Sequence, residues 1–161
     1  MRLIDQPSVA VETTIKVDPQ RVYELVSDLD AMASFGTEFQ SGRWVSGRPG
    51  TVGSTFIGLQ RLGDSEWEST STVTTANPGK TFAWVVGDVE NPTATWTVAL
   101  RTVPDGTEVV YSFVHGPGPS GLRSRVEAQP HDEDKFIDAR LLGLQQNMVK
   151  TLEGIRRRTA R

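Results

Sequence analysis

Three side chains in the sequence could move protons: His115, Tyr111 and Glu38. Val109, Tyr111, Phe113 and His115 alternate along one strand-like run, so they share a face. A histidine is poised to act as general acid or base near neutral pH, and a tyrosine can polarise a carbonyl or donate a proton. His115 is followed at once by Gly116-Pro117-Gly118-Pro119, which places it at the expected mouth of any cavity. The competing reading is that it caps the strand end or contacts solvent, and a histidine with no identified partner favours that reading. Glu38 and Gln60 are the polar residues expected to meet a ligand. Against that stand an ion pair of Glu38 with Arg43 or Arg61, and solvent exposure of Gln60.

Other chemistries lack their residues. With no cysteine in the chain, disulfides, thiol catalysis and Cys-ligated zinc are excluded. The two histidines, His115 and His131, lack ligand spacing, and His131-Asp132-Glu133 reads as a helix start, so neither metal nor cofactor is expected. No G-x-S-x-G elbow occurs. Gly47 to Gly53 lacks the Gly-Lys-Ser/Thr ending of a phosphate loop and leads into a strand, so it reads as a hairpin turn.

The four tryptophans, Trp44, Trp67, Trp84 and Trp96, fall in separate strand-like runs. A period of two groups Trp67 with Ser69, Ser71 and Val73, Trp84 with Phe82 and Val86, and Trp96 with Ala94, Val98 and Leu100. Those faces are assigned to the inside, with Trp44 the hardest to phase. They form either a plain core or the wall of a cavity suited to a flat or greasy ligand.

The elements that must position these residues follow from periodicity. Val9 to Val17 alternates as a half-buried strand. Asp18 can cap a helix and Pro19 can open it, with Val22, Leu25, Val26 and Leu29 on one face, and a second short helix follows over Leu29 to Phe35. Strands are predicted near 38–45, 53–61, 66–75, 81–86, 94–103 and 107–115, joined by Gly-, Pro- and Asn-rich turns. Residues 116–130 read as a long loop able to serve as a lid. From Asp132 the period changes: Ile137, Leu141, Leu144, Met148, Leu152 and Ile155 mark a long amphipathic helix, with Lys135, Arg140, Gln145 and Lys150 off its apolar stripe. Gly143 and Gly154 suit a bend or a close approach in that helix. One cavity is expected between stripe and sheet, entered from the end near Phe35 and residues 116–130.

Bulk properties narrow the function. The chain has 161 residues, 37% hydrophobic and 23% charged, with a formal net charge of −3. It lacks the basic footprint that phosphate neutralisation requires, so no nucleic-acid partner is expected. Arg156, Arg157, Arg158 and Arg161 suit a helix C-terminus, whose carbonyls favour cations. No apolar run suits a signal peptide or a bilayer span, which makes cytoplasmic location, without stable membrane insertion, the default expectation. Residues 1–161 are expected to form one domain.

Taken together, the order of elements is that of the helix-grip fold, and the motifs add detail. Val9 to Pro19 (V-x-V-E-x-T-I-x-V-x-x-P) resembles the opening of the START-like (SRPBCC) superfamily. More specifically, the chain resembles the branch of polyketide cyclase/dehydrase and lipid-transport-like proteins. The matching positions are Arg43-Trp44, Val52-Gly53, Phe56-x-Gly58-x-Gln60-Arg61-x-Gly63, Trp67, Val73, Asn147-Met148 and Thr151-Leu152-x-Gly154-Ile155. Phe35-Gly36-Thr37-Glu38 stands where relatives often carry W-S-P-E, and Gln60 where they often carry Asn. The resemblance implies an α+β fold: a curved seven-stranded antiparallel sheet around a long C-terminal helix, with two short helices after the first strand. It implies a binder or carrier of a small hydrophobic molecule (a lipid, isoprenoid or polyketide-like compound) in an internal cavity. The alternatives are an aromatic polyketide cyclase/dehydratase, with His115, Tyr111 or Glu38 moving protons, and a stress-regulator or co-chaperone-like module using the outer sheet face. The residues expected at the ligand are Phe35, Glu38, Trp44, Phe56, Gln60, Trp67, Ser69, Trp84, Trp96, Tyr111, Phe113, His115, Leu144 and Met148. Ile57 and Leu59, flanking Gly58, should point outward and suggest a homodimer.

Overall fold

Asp18 and Asp28 each end a turn with a carboxylate that accepts a helix N–H, from Arg21 (3.0 Å) and Ala31 (3.1 Å) respectively. These caps open α1 (Pro19–Val26) and α2 (Leu29–Phe35) in a computed structural model that describes residues 1–160. Before them runs β1 (Ser8–Ile15), and after them come β2 (Phe39–Ser46), β3 (Thr55–Leu62), β4 (Ser65–Asn77), β5 (Thr81–Asp88), β6 (Asn91–Val103) and β7 (Gly106–His115). Two further helices follow, α3 (Gly121–Ala128) and α4 (Glu133–Thr159). Arg161, the last of the C-terminal arginines, lies outside the described residues.

The strands form one antiparallel sheet in the order β1-β7-β6-β5-β4-β3-β2. This is the helix-grip arrangement, with the α1–α2 excursion carrying the chain from one sheet edge to the other. The register confirms the inside phases: Trp84 pairs with Trp96, Trp96 with Phe113, Val98 with Tyr111, and Gln60 with Trp67. Trp44 pairs with Phe56, and their rings meet edge to face at 5.2 Å, so Trp44 also faces inward.

Helix α4 does not use its stripe uniformly. Leu144, Met148, Leu152 and Ile155 are buried in the same core as Val73, Phe82, Val98 and Val109 on the sheet. Phe136 and Ile137 instead join Leu3 and Val126 in a second cluster, under α3. Gly154 allows the close approach expected of it, because a Cβ there would lie 2.6 Å from the Phe35 ring. Gly143 faces open space, and no contact explains it.

The long-loop reading of residues 116–130 is corrected by α3, which occupies Gly121–Ala128. Ser120 caps it by accepting the Arg123 N–H at 2.9 Å. The Ser120 cap and the Leu122-to-Val126 spacing are helix signals that the Gly/Pro run before them obscured. Phe35 and residues 116–130 also do not flank one entrance. Phe35 packs at Gly154, whereas α3 packs at Phe136, 18 residues earlier on α4, or roughly 27 Å at 1.5 Å per residue.

Candidate functional site

Aromatic side chains line up across three strands on the concave face. Trp84 on β5 stacks on Trp96 on β6 at 6.1 Å and 11°. Trp96 then meets Tyr111 at 5.4 Å and Phe113 edge-on at 4.9 Å, both on β7. This row follows from the register, which sets inward-facing Trp84 opposite Trp96 and Trp96 opposite Phe113, with Tyr111 two residues before Phe113 on the same face.

Burial along these strands is uneven. Phe82 and Val98, one inward position from the Trp pair, are 2% and 1% exposed. Trp84, Trp96 and Val86 are only half-buried although they face inward, as are Gln60 and Ser69 on the neighbouring strands. The indole N–H groups of Trp84 and Trp96 and the Tyr111 hydroxyl form no hydrogen bond with the described residues, yet no partnerless polar side-chain atom is sealed from solvent. The row therefore carries three polar groups without a partner among the described residues, and its two tryptophans are partly uncovered.

Glu38, just before β2, is held by Arg140 of α4 in a two-pronged ion pair of 2.7 and 2.8 Å. Neither Arg43 nor Arg61 is its partner, and Arg61 pairs with Glu66 instead. Asn147, two turns further along α4, accepts the N–H groups of Thr37 (2.6 Å) and Glu38 (3.3 Å), which fastens the start of β2 to the helix. Arg140 carries no local signal as a site residue, because it falls off the apolar stripe. Its position three residues after Ile137 and four before Leu144 puts it on the flank of the stripe, within reach of the sheet. A Glu38→Gln and Arg140→Gln double-mutant cycle is expected to give a coupling of about 1–3 kcal/mol in urea unfolding, as befits a largely shielded bidentate pair. A coupling below about 0.3 kcal/mol would mean that the pair does not hold helix to sheet.

The three proton-moving candidates are not equally free. His115 is 3% exposed. Its Nδ1–H donates to the Gly116 carbonyl at 2.7 Å and its Nε2 accepts from Ser120 Oγ at 2.8 Å. Burial pushes its pKa down, aided by the charges of Arg123 and Arg140 and opposed by the Gly116 bond. His115 thus lies beneath the α3 cap rather than at a cavity mouth. Burial, and secondarily the Glu38 carboxylate, pushes the Tyr111 phenol far up, which leaves it a hydrogen-bond donor at neutral pH. The Glu38 carboxylate is engaged by Arg140.

The other expected residues are dispersed. Turned with its nitrogen to the nearby oxygens, the Gln60 amide donates to Gly58 O (3.0 Å), Trp67 O (3.2 Å) and Ser69 Oγ (3.1 Å). Phe39, which no sequence motif singles out, lies over the paired Gly42 and Gly58, where a Cβ would come within 2.8 Å of its ring. Trp67 is 39% exposed, near the β3–β4 turn. Phe35 packs under the Arg158 guanidinium, 5.2 Å from its ring centre. Phe56, Leu144 and Met148 are buried in the core. Two open hollows have volumes of about 390 and 320 Å³. Both lie beside Trp44 and α1 or α2, and neither lies between the α4 stripe and the sheet.

Comparison with known proteins places this geometry. The family model described as polyketide cyclase / dehydrase and lipid transport matches residues 6–149. The chain belongs to that family. Among solved structures, a polyketide cyclase-like protein of Corynebacterium glutamicum is 24% identical, with a TM-score of 0.67, over 93% of this chain and 89% of that one. The ginseng (Panax ginseng) major latex-like protein 151 superposes with a TM-score of 0.66 at 13% identity, over 97% and 99% of the two chains. The di-domain ARO/CYC StfQ of the steffimycin biosynthetic pathway gives 0.72 at 11% identity, over 92% of this chain and 49% of that one. At these identities the likeness is one of fold. No curated protein sequence matches. Among the described residues no helix is long and apolar enough to cross a membrane.

Proposed function

We propose that this member of the polyketide cyclase / dehydrase and lipid transport family binds a small hydrophobic, ring-bearing molecule on its concave face and carries it without converting it. The observation that supports this reading is the Trp84–Trp96–Tyr111–Phe113 row, in which the two tryptophans are only half-buried although they face inward over buried Tyr111 and Phe113, with three polar groups free to orient a ligand. Stacking area supplies affinity, and a few hydrogen-bonding groups fix orientation. Two of the three groups that a cyclase or dehydratase would use are engaged elsewhere, Glu38 by Arg140 and His115 by Gly116 and Ser120, and only the Tyr111 hydroxyl is left without a partner among the described residues. Carriage is therefore favoured over catalysis. The test is to incubate the protein with a panel of polyketide-like and lipid compounds and analyse them by mass spectrometry. Binding without new product is expected. Product formed by wild type and lost in Tyr111→Phe would establish an enzyme instead.

A second copy of the chain is the proposed partner for the outer face. Ile57 and Leu59 on β3 and Val110 and Val114 on β7 point away from α4 and are half-buried. Light scattering at high micromolar concentration should give a dimer mass that Leu59→Asp halves. A monomer mass for both proteins would remove the proposal.

A further inference from the structure

The hollow of about 390 Å³ beside Trp44 is separate from the concave aromatic row and shares none of its residues. Its wall includes Tyr23 and Ser27 of α1 and its cap, Trp44 of β2, Pro49 and Val52 of the β2–β3 turn, and Pro78 of the β4–β5 turn. Its volume falls within the range of small-molecule sites, roughly 300–1,000 Å³. Val52 is 64% exposed and forms part of an apolar rim with the two prolines.

Two features make this hollow more than a surface dent. Tyr23 is 92% buried, with its ring set edge-on against Phe82 at 5.8 Å. Its hydroxyl has no partner among the described residues, yet no such atom is sealed in, so it opens onto the hollow that the residue lines. The second feature is charge. The adjoining hollow of about 320 Å³ shares Ser27 and Trp44 and adds Asp28 and Asp30. Asp28 gives one oxygen to the Ala31 N–H, and Asp30 makes no ion pair or hydrogen bond with the described residues. No lysine or arginine lines either hollow. Trp44 thus borders both an apolar, hydroxyl-bearing hollow and an acidic one.

We propose that these neighbouring hollows, which share Ser27 and Trp44 in their walls, form a second ligand site, independent of the concave face, which takes a small aromatic cation: its ring stacks on Trp44 within reach of the Tyr23 hydroxyl and its ammonium lies by Asp28 and Asp30. Carboxylates beside an indole face favour a cation twice, by direct attraction and by the ring quadrupole. Tryptamine serves as the probe, with indole-3-propionate as the anion of matching ring. The readouts are titration calorimetry and the ¹⁵N-labelled indole N–H signals of the protein. Tryptamine should shift the Trp44 signal saturably and bind about tenfold more tightly than indole-3-propionate. Asp30→Asn, an exposed change that leaves the fold intact, should remove most of that preference. Tyr23→Phe should weaken both probes, and Trp96→Ala should leave tryptamine binding unchanged. Equal binding of the two probes, shifts at Trp84 and Trp96 in place of Trp44, or no saturable shift up to about 5 mM would each overturn the proposal. Since the concave face is read through Trp96, failure of either site leaves the other intact.

Discussion

Trp96→Ala should weaken binding of a neutral fused-ring probe such as 2-naphthol by about tenfold to a hundredfold, equivalent to about 1–3 kcal/mol. Trp96 is the hub of the aromatic row, in ring contact with Trp84, Tyr111 and Phe113. Its removal takes away a stacking surface and frees Trp84 to rotate. Because Trp96 is half-buried, the fold should lose less than when a fully buried core residue is removed. Tyr111→Phe, which deletes only the hydroxyl, should cost the same probe less than about tenfold, the worth of one hydrogen bond. Calorimetric titration of the three proteins checks the order. If Trp96→Ala bound 2-naphthol as wild type does, the row would be ordinary core.

His115→Ala should act on stability rather than on the ligand. The substitution empties a buried site and deletes the bonds to Gly116 O and Ser120 Oγ, for a loss of about 2–4 kcal/mol in urea unfolding. Hydrogen exchange should quicken chiefly in α3, whose cap residue Ser120 loses its histidine. The wild-type protein should show a related pH dependence. Burial holds His115 neutral in the folded state, while the unfolded chain takes up a proton near pH 6.5. The unfolded state therefore binds more protons below that pH, and stability falls as pH drops from about 6.5 towards the lower folded value. Above about 6.5 this contribution is fully present. His115→Ala should flatten that part of the stability profile. An unchanged profile, with α3 exchange unaltered, would contradict a role for His115 in holding the α3 cap.

Much of the fold was legible because a sheet buried on one face has a period of two and a packed helix one of 3.6. Those periods put Trp84, Trp96, Tyr111 and Phe113 inside and set the α4 stripe. The site was less legible because it depends on pairings between distant segments. Glu38 and Arg140 are 102 positions apart, and no local pattern couples them. Arg140 sits on the edge of the stripe, where a long side chain can turn to water or to the sheet, and periodicity does not choose between them. The α3 cap was obscured by a Gly/Pro run that also reads as loop. The stripe itself suggested one cavity roof, but its two halves have different partners, Leu144 to Ile155 on the sheet and Phe136 with Ile137 under α3. Only the folded chain shows where one half gives way to the other.

Occupancy of the concave face can be read directly from the four tryptophans, which stand at distinct places: Trp84 and Trp96 in the row, Trp44 by the α1 hollow, and Trp67 exposed near the β3–β4 turn. The measurement is a titration of ¹⁵N-labelled protein with 2-naphthol, following the four indole N–H signals. Binding on the concave face requires saturable shifts of Trp84 and Trp96, with Trp67 unmoved and the shifts abolished in Tyr111→Ala. Saturation that moves only Trp44 or Trp67, or leaves all four in place, would contradict it.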